Sequence, residues 1–336
     1  MEYTTLGKTG LRVSRMGFGG IPIQKVDAAV TRKLMERLVE RGVNYIDTAR
    51  GYTVSESFLG EALEGGLREK FVLATKSMAR TRAEMERDIE ISLRNLRTDH
   101  IDLYQVHNPS LTELEQVTAP DGALEALLAA KAAGKIGHIG VTAHMAGVFE
   151  KALTMDWVET VMFPYNIVET QGEALMQKCR EQNVGFICMK PMAGGALEDA
   201  RLAMRFIGRN ENVSVVIPGM YDVREIDQNI EAIEDASPLT EAERAQLDVI
   251  RRELGTQFCR RCNYCQPCTA GIAISGIFVL EGYLNRYGLG DWAKQRYAAM
   301  GKKAGDCVGC GACEKRCPYQ LPIRQMLARC KDEFGA

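Results

Sequence analysis

KFVLATKSMARTRAEMERDIEISLRNLRTDHIDLYQVH, residues 70–107, changes its hydrophobic period twice. KFVLATK (70–76) and HIDLYQVH (100–107) are short apolar runs rich in β-formers. Between them AEMERDIEISLRNL carries apolar residues at three- and four-residue spacing, the pattern of a helix with one buried face. A strand, a helix and a second strand of these lengths make a βαβ unit, whose two strands run parallel. The alternation continues in both directions. VSRMGFGG (13–20) and NYIDTA (44–49) lie upstream, and KIGHIGVTA (135–143), TVMFPYN (160–166), VGFICMKPM (184–192) and VSVVIPGM (213–220) downstream. Helical runs such as AVTRKLMERLVERG, ALEALLAAKAAGK and ALMQKCREQN separate them. Eight strands alternating with helices predict a parallel sheet with its helices outside. About 250 residues suffice to close it into a (β/α)₈ barrel. Periodicity cannot show closure, so an open doubly wound sheet stands as the alternative.

YTTLGKTGLRVS (3–14) precedes the first barrel strand and reads as a β-hairpin placed to plug the lower end. SPLTEAERAQLDVIRREL (237–254) reads as a further helix, with Ser237 as N-cap and Pro238 at the first position. The chain has 336 residues and a net charge of −2, from 42 Lys+Arg against 44 Asp+Glu. That balance offers no polycationic footprint, so nucleic acid and anionic membrane are not expected partners. No run of 18 apolar residues predicts a membrane span, and MEYTTLGKTGLRVSRMGFGG lacks the pattern of a secretory signal. A cytoplasmic location is the expectation.

Composition changes abruptly at Phe258, which predicts a barrel domain over 1–255 and a second domain over 256–336. Eight of the eleven cysteines fall in two runs. The first is Cys259-Arg-Arg-Cys262-Asn-Tyr-Cys265-Gln-Pro-Cys268; the second is Cys307-Val-Gly-Cys310-Gly-Ala-Cys313-Glu-Lys-Arg-Cys317-Pro318. The second run has the C-x₂-C-x₂-C-x₃-C-P spacing of [4Fe–4S] ligands, in which the fourth cysteine serves the other cluster of a pair. By that rule Cys259, Cys262, Cys265 and Cys317 hold one cluster, and Cys307, Cys310, Cys313 and Cys268 the other. The first run departs from the pattern, with two residues before its last cysteine and Thr269 in place of proline. Zinc, the alternative, usually takes separated cysteine pairs rather than two quartets. FVLEGYLNRYGLGDWAKQRYAAM, between the runs, looks helical, so the domain resembles the α-helical type of dicluster ferredoxin. Cys179, Cys188 and Cys330 read as small buried apolar residues.

Catalytic groups of a (β/α)₈ barrel sit at the C-terminal ends of its strands. Four candidates pass that filter: Asp47 ending strand two, Tyr52 in the following loop, Lys76 ending strand three and His107 ending strand four. Each alone has an ordinary structural explanation as a cap, a solvated cation, a surface phenol or a satisfied core imidazole. Together they form an acid catalyst. A lysine cation favours the phenolate of a neighbouring tyrosine, Asp47 fixes Lys76, and His107 orients a carbonyl oxygen.

G-x-N-Y-I-D-T-A-x-x-Y (42–52), A-T-K (74–76), I-D-L-Y-x-V-H (101–107), I-G-x-I-G-V-T (136–142) and V-I-P-G-M (216–220) occur in this order over roughly residues 3–250, and they resemble the aldo-keto reductase superfamily. The whole chain resembles that superfamily's bacterial branch with a C-terminal ferredoxin-like extension. The resemblance implies a nicotinamide cofactor, a small carbonyl or alcohol substrate, and a tetrad of Asp47, Tyr52, Lys76 and His107 with Tyr52 as the acid. It places cofactor contacts at Gly20, Ile21, Thr142, Met162, Lys190, Met192, Gly219, Met220, Gln228 and Asn229. Several depart from the superfamily's pattern. Thr142-Ala143 stands for Ser-Asn, Met162 for Gln, Met189 for the stacking aromatic, Gly219-Met220 for Lys-Ser, and Glu225, beside Arg224, for Arg. A 2′-phosphate needs a charge-assisted partner, so NADH is expected alongside NADPH. Gly194-Gly195 contact a pyrophosphate or merely shape their loop. Three functions remain open. The first is a nicotinamide-dependent reductase with two [4Fe–4S] clusters. The second is an electron-transfer oxidoreductase whose clusters, served by an electron-transfer protein, feed the barrel. The third is a redox-sensing module without turnover.

Overall fold

The apolar runs of the first 238 residues become ten strands in the computed structural model, which describes residues 1–335. They are β1 (Tyr3–Thr5), β2 (Arg12–Ser14), β3 (Phe18–Gly19), β4 (Tyr45–Asp47) and β5 (Val72–Ser77), then β6 (Ile101–Val106), β7 (Ile136–Thr142), β8 (Thr160–Pro164), β9 (Gly185–Met189) and β10 (Val215–Val216). β3 to β10 pair in chain order in one parallel sheet. Its two edges meet. Met16 bridges Val216 and Gly19 bridges Gly219, both in parallel, while the Gly17 and Gly19 N–H groups donate to the Val216 and Pro218 carbonyls at 2.8 and 2.9 Å. The sheet is therefore a barrel rather than an open doubly wound layer. Glycine permits the seam, because a Cβ on Gly17 would lie 2.8 Å from the Tyr45 ring.

The expected first strand, 13–20, is divided. Residues up to Ser14 pair antiparallel with β1, from Tyr3↔Ser14 to Thr5↔Arg12, and only Phe18–Gly19 enters the barrel sheet. Ser14 marks the change of partner: its N–H donates to Asn44 Oδ1 at 2.7 Å and its Oγ to the Met16 carbonyl at 2.6 Å. The expected strand 213–220 shortens to Val215–Val216, since Pro218 has no N–H for a ladder. The hairpin does plug the barrel. Leu6 is fully buried in a cluster with Tyr45, Ala74, Leu103, Met162 and Ile187, and the Lys8 N–H donates to the Asn183 carbonyl just before β9. Burying Leu6 stabilises the fold by about 1.5–3 kcal/mol.

Glu159, just before β8, pins β7 to β8. It accepts from the Ile139 N–H at 2.9 Å, from His138 at 2.7 Å and from Lys131 at 2.7 Å. Burial alone would raise its pKa, but these hydrogen bonds outweigh burial and hold it at about 2. A depressed carboxylate contributes stability above its unfolded pKa, about 4.3, and loses it as pH falls towards the folded value. The stability gap between wild type and Glu159→Gln, followed by urea denaturation, should thus be full at pH 6 and shrink between about pH 4.3 and pH 2. A gap that is independent of pH would refute the assignment.

By their contacts the described residues fall into two units. The barrel unit comprises Met1–Asn166, Thr170–Pro191 and Asp199–Pro238; the second comprises Ile167–Glu169, Met192–Glu198 and the chain from Leu239. The helix expected from Ser237 starts later, at Glu241. Thr240 is its N-cap, in a reciprocal capping box with Glu243, which satisfies two free amides at once and outcompetes a lone serine. Ser237 instead hydrogen-bonds Asp235. Beyond it the second unit is helical: Ile274–Asn285, Gly290–Ala298, Ala312–Arg316 and Ile323–Phe334. These helices pack around Ile277, Phe278, Tyr297, Leu321, Met326 and Leu327, with Cys330 fully buried among them. Cys179 and Cys188 are buried in the barrel unit. No helix among the described residues is long and apolar enough to cross a membrane.

Candidate functional site

Strand register builds the site in layers. Side chains two residues apart on a strand point to the same side. Tyr45, Ala74 and Leu103 all lie in the apolar cluster inside the barrel. Two residues further along the same strands stand Asp47, Lys76 and Gln105, with Asp47 opposite Ala74 and Lys76 opposite Gln105 in the ladder. A polar layer thus sits directly on the apolar one, towards the strands' C-terminal ends.

Asp47 and Lys76 are 2% and 1% exposed. Lys76 Nζ forms an ion pair with Asp47 Oδ1 and donates to the Thr48 carbonyl at 2.8 Å. Gln105 Nε2 donates to the other carboxylate oxygen at 3.1 Å. Burial pushes the Asp47 carboxyl up and the Lys76 ammonium down, and each partner's charge opposes the shift. Behind this pair the buried Glu56 accepts from Thr75 and Ser92 at 2.8 Å and from Arg50 at 3.0 Å. Its charge opposes the downward shift that burial imposes on Lys76.

Above the pair lie the two rings. Lys76 Nζ is 5.0 Å from the centroid of the Tyr52 ring. The His107 imidazole meets the same ring edge-on, with centroids 6.1 Å apart and planes at 88°. The loop carrying Tyr52 is held by its N–H bond to the Ala49 carbonyl at 3.0 Å, and Thr53 Oγ1 donates to Gln24 at 2.6 Å. Burial, together with the cations Lys76, Arg80 and Lys190, holds the His107 pKa well below its ordinary value. The imidazole is therefore neutral, and its Nδ1 is buried without a hydrogen-bond partner among the described residues. Asp47, Tyr52, Lys76 and His107, separate in sequence, are thus brought together. Gln105 and Glu56 were not singled out by sequence. Gln105 shares its strand face with His107, a period-two signal that could have found it. Glu56 reads as an ordinary first-turn acid of the helix Ser55–Ala62 and gives no such signal.

The expected cofactor contacts are dispersed. The Gly20 N–H donates to the Asp47 carbonyl at 2.8 Å, which ties the buried Gly20 and the half-buried Ile21 to β4. Thr142 Oγ1 accepts from the Asn108 N–H at 2.8 Å. Met162 lies inside the barrel core. Lys190, just after β9, has φ +56° and accepts from Asn166 at 2.9 Å. Gly219 and the buried Met220 follow β10, while Gln228 is exposed and Asn229 buried on the helix Val223–Glu234. Near Gly219–Met220 both cations are engaged. Arg224 pairs with Asp222 at 2.6 Å, and Lys25 lies 5.5 Å from the Tyr221 ring. Met192 belongs to the second unit, as do Gly194 and Gly195, whose φ angles of +67° and +80° demand glycine. A Cβ on Gly195 would lie 3.2 Å from Arg286, so this pair has a loop-shaping role on packing grounds alone.

In the second unit Cys268, Cys307, Cys310 and Cys313 line one cavity. Thr269 Oγ1 lies 3.1 Å from Cys310 Sγ. The other four cysteines form a second group. Burial, then the neighbouring Cys259 and Cys262, pushes the Cys265 thiol up to about 12, and Cys317 acts on Cys262 in the same sense. Arg316, anchored near the second run, donates to the Cys265, Gln266 and Pro267 carbonyls at 2.8–3.2 Å and so ties the two runs together. Among the described residues no three Cys, His, Asp or Glu side chains close on a single ion; the four thiols of the cavity border a wider space.

Comparison with known proteins follows the same division. Residues 15–202 match the family model described as aldo/keto reductase family, and residues 258–322 match a 4Fe-4S dicluster domain. An uncharacterized oxidoreductase of Bacillus subtilis, YrpG, is 31% identical over 229 residues, covering 59% of this chain and 68% of that protein. The L-galactose dehydrogenase of Arabidopsis thaliana is 25% identical over 293 residues, 71% of this chain and 90% of the relative. Among solved structures, the holo form of the aldo-keto reductase AKR11C1 from Bacillus halodurans aligns with a TM-score of 0.65 at 26% identity, covering 74% of this chain and 96% of that one.

Proposed function

Because the chain belongs to the aldo/keto reductase family, we propose that its barrel interconverts an aldehyde or ketone and the corresponding alcohol with NADH or NADPH, that residues 1–255 form this reductase domain, and that residues 256–336 carry two [4Fe–4S] clusters. The observation that carries the reading is the polar layer: an ion-paired Lys76 under the Tyr52 ring with a neutral His107 at its edge. The nicotinamide, when bound, supplies the hydride. The chain's own residues handle the proton. Tyr52 gives its phenolic proton to the carbonyl oxygen, and the Lys76 cation stabilises the phenolate left behind. Asp47, held by Gln105, keeps Lys76 charged and in place. His107, being neutral, accepts or donates a hydrogen bond at the substrate oxygen without competing as the acid. Two buried polar atoms in this layer, His107 Nδ1 and Gln105 Oε1, have no hydrogen-bond partner among the described residues. The engaged state of Arg224 and Lys25 favours no 2′-phosphate, so NADH is expected to bind at least as well as NADPH.

An anaerobic titration of the purified protein with each nucleotide tests this, following cofactor fluorescence and the visible cluster band together. Binding with the band unchanged supports hydride chemistry in the barrel. Bleaching by the nucleotide would favour the electron-transfer alternative, and failure of both nucleotides to bind would remove the reductase reading.

For the clusters, the donor set is the argument. Four thiols on one cavity and four more in mutual electrostatic contact repel one another as thiolates, and iron relieves that repulsion. Cys259, Cys262, Cys265 and Cys317 are assigned to one cluster, and Cys268, Cys307, Cys310 and Cys313 to the other. Cys310→Ala should lower the iron content of anaerobically purified protein from about eight to about four atoms per chain, leaving one electron paramagnetic resonance signal. Iron unchanged at about eight would exclude Cys310 as a ligand.

A further inference from the structure

Four Lys or Arg side chains are buried among the described residues: Lys76, Arg80, Arg205 and Arg260. Three of them meet a carboxylate: Lys76 pairs with Asp47, Arg80 with Glu113 at 3.3 Å and Arg205 with Asp235. Arg260, 8% exposed, forms no ion pair among the described residues. The acid in its field, Glu169, is taken by Arg261. Arg260 instead donates to neutral groups: from Nε to the Val168 carbonyl at 3.0 Å, and from one terminal nitrogen to the Gly255 and Phe258 carbonyls at 2.7 and 3.3 Å. Its guanidinium carbon lies 3.9 Å from the Tyr319 ring centroid. These contacts fix the side chain, but they leave its charge unbalanced. Removing a cation from water without a counter-ion is strongly unfavourable.

The missing negative charge has an evident source. Arg260 follows Cys259 in the chain, and its guanidinium stacks on Tyr319, two residues beyond Cys317. A [4Fe–4S] cluster on four thiolates carries net negative charge and gains one more on reduction. A fixed cation beside it stabilises the reduced form more than the oxidised form. The cavity of the other cysteine group is lined by Arg316 and Arg324, but neither is buried: Arg316 is exposed, and Arg324 is half in solvent and paired with Glu314 at 2.8 Å.

We propose that Arg260 is the built-in counter-ion of the cluster held by Cys259, Cys262, Cys265 and Cys317, and that it raises that cluster's reduction potential while leaving the second cluster nearly untouched. The proposal rests on the cluster assignment above. It makes the two clusters unequal electron acceptors, with one potential written into a single side chain.

The test is a redox titration of the anaerobic holoprotein with dithionite, read by electron paramagnetic resonance, on wild type, Arg260→Gln and Arg260→Lys. In Arg260→Gln one of the two signals should move to a more negative potential and the other stay in place. Arg260→Lys, which keeps the charge and loses the hydrogen-bonding fork, should stay near wild type. If both clusters assemble and neither potential moves, or Lys shifts it as far as Gln, the proposal is overturned. Should Arg260→Gln fail to hold its clusters, Arg260→His reads the same charge at the same place: the affected signal's distance below wild type should be wider at pH 8, where the imidazole is neutral, than at pH 6, and an equal distance at both pH values overturns the proposal. Wild-type protein with fewer than two clusters would be recognised beforehand by iron content, and it would overturn the cluster assignment and this proposal together.

Discussion

Replacing Tyr52 with Phe should lower kcat/KM for reduction of a probe aldehyde such as 4-nitrobenzaldehyde by about 10²–10⁴-fold, the range supplied by a positioned general acid. The ring stays, so its contacts with Lys76 and His107 stay. Only the hydroxyl, and with it the transferable proton, is lost. Cofactor affinity should therefore be unchanged and the decrease should fall in kcat, because the missing interaction is made only as charge develops on the carbonyl oxygen. A decrease confined to KM would mean that Tyr52 merely binds substrate. Full activity would transfer the acid's role to another group and undo the site as described.

Lys76→Met should be costly in two separable ways. The Asp47–Lys76 pair is buried, and removing one partner leaves a carboxylate charged in a dry layer, at a cost of about 3–5 kcal/mol to folding. Activity should also fall, since nothing then stabilises the Tyr52 phenolate. The double variant Asp47→Asn, Lys76→Met separates the two effects. With both charges gone and Gln105 still beside residue 47, much of the lost stability should return while activity does not. Denaturant melts and single-turnover rates on wild type and the two variants decide it. If the double variant is no more stable than Lys76→Met, the buried pair is not the source of the loss.

Much of the barrel was legible because its physics is local. Each inner strand is a short apolar run, each outer helix an amphipathic one, and their strict alternation leaves few topologies. What was not legible was where side chains replace backbone partners. Ser14 satisfies its neighbours through Asn44 and Met16, so the chain left its expected strand there. Thr240 took the cap expected of Ser237 because Glu243 reciprocated. The candidate site divides in the same way. Asp47, Lys76 and His107 stand at strand ends, where position alone marks them. Gln105 is hidden in an apolar run and Arg260 in a basic dipeptide beside a cysteine. What distinguishes both is a contact with a charge distant in sequence or the absence of one, which only the folded chain displays.

Hydride transfer is the central claim, and isotope transfer tests it most directly. The holoprotein would be incubated anaerobically with NADH or NADPH deuterated at both C4 positions and a panel of aldehydes and ketones, and the alcohols analysed by mass spectrometry. The account predicts one deuterium on the former carbonyl carbon from at least one nucleotide, lost in Tyr52→Phe. Alcohol formed without nicotinamide deuterium, from electrons delivered through the clusters, would contradict it.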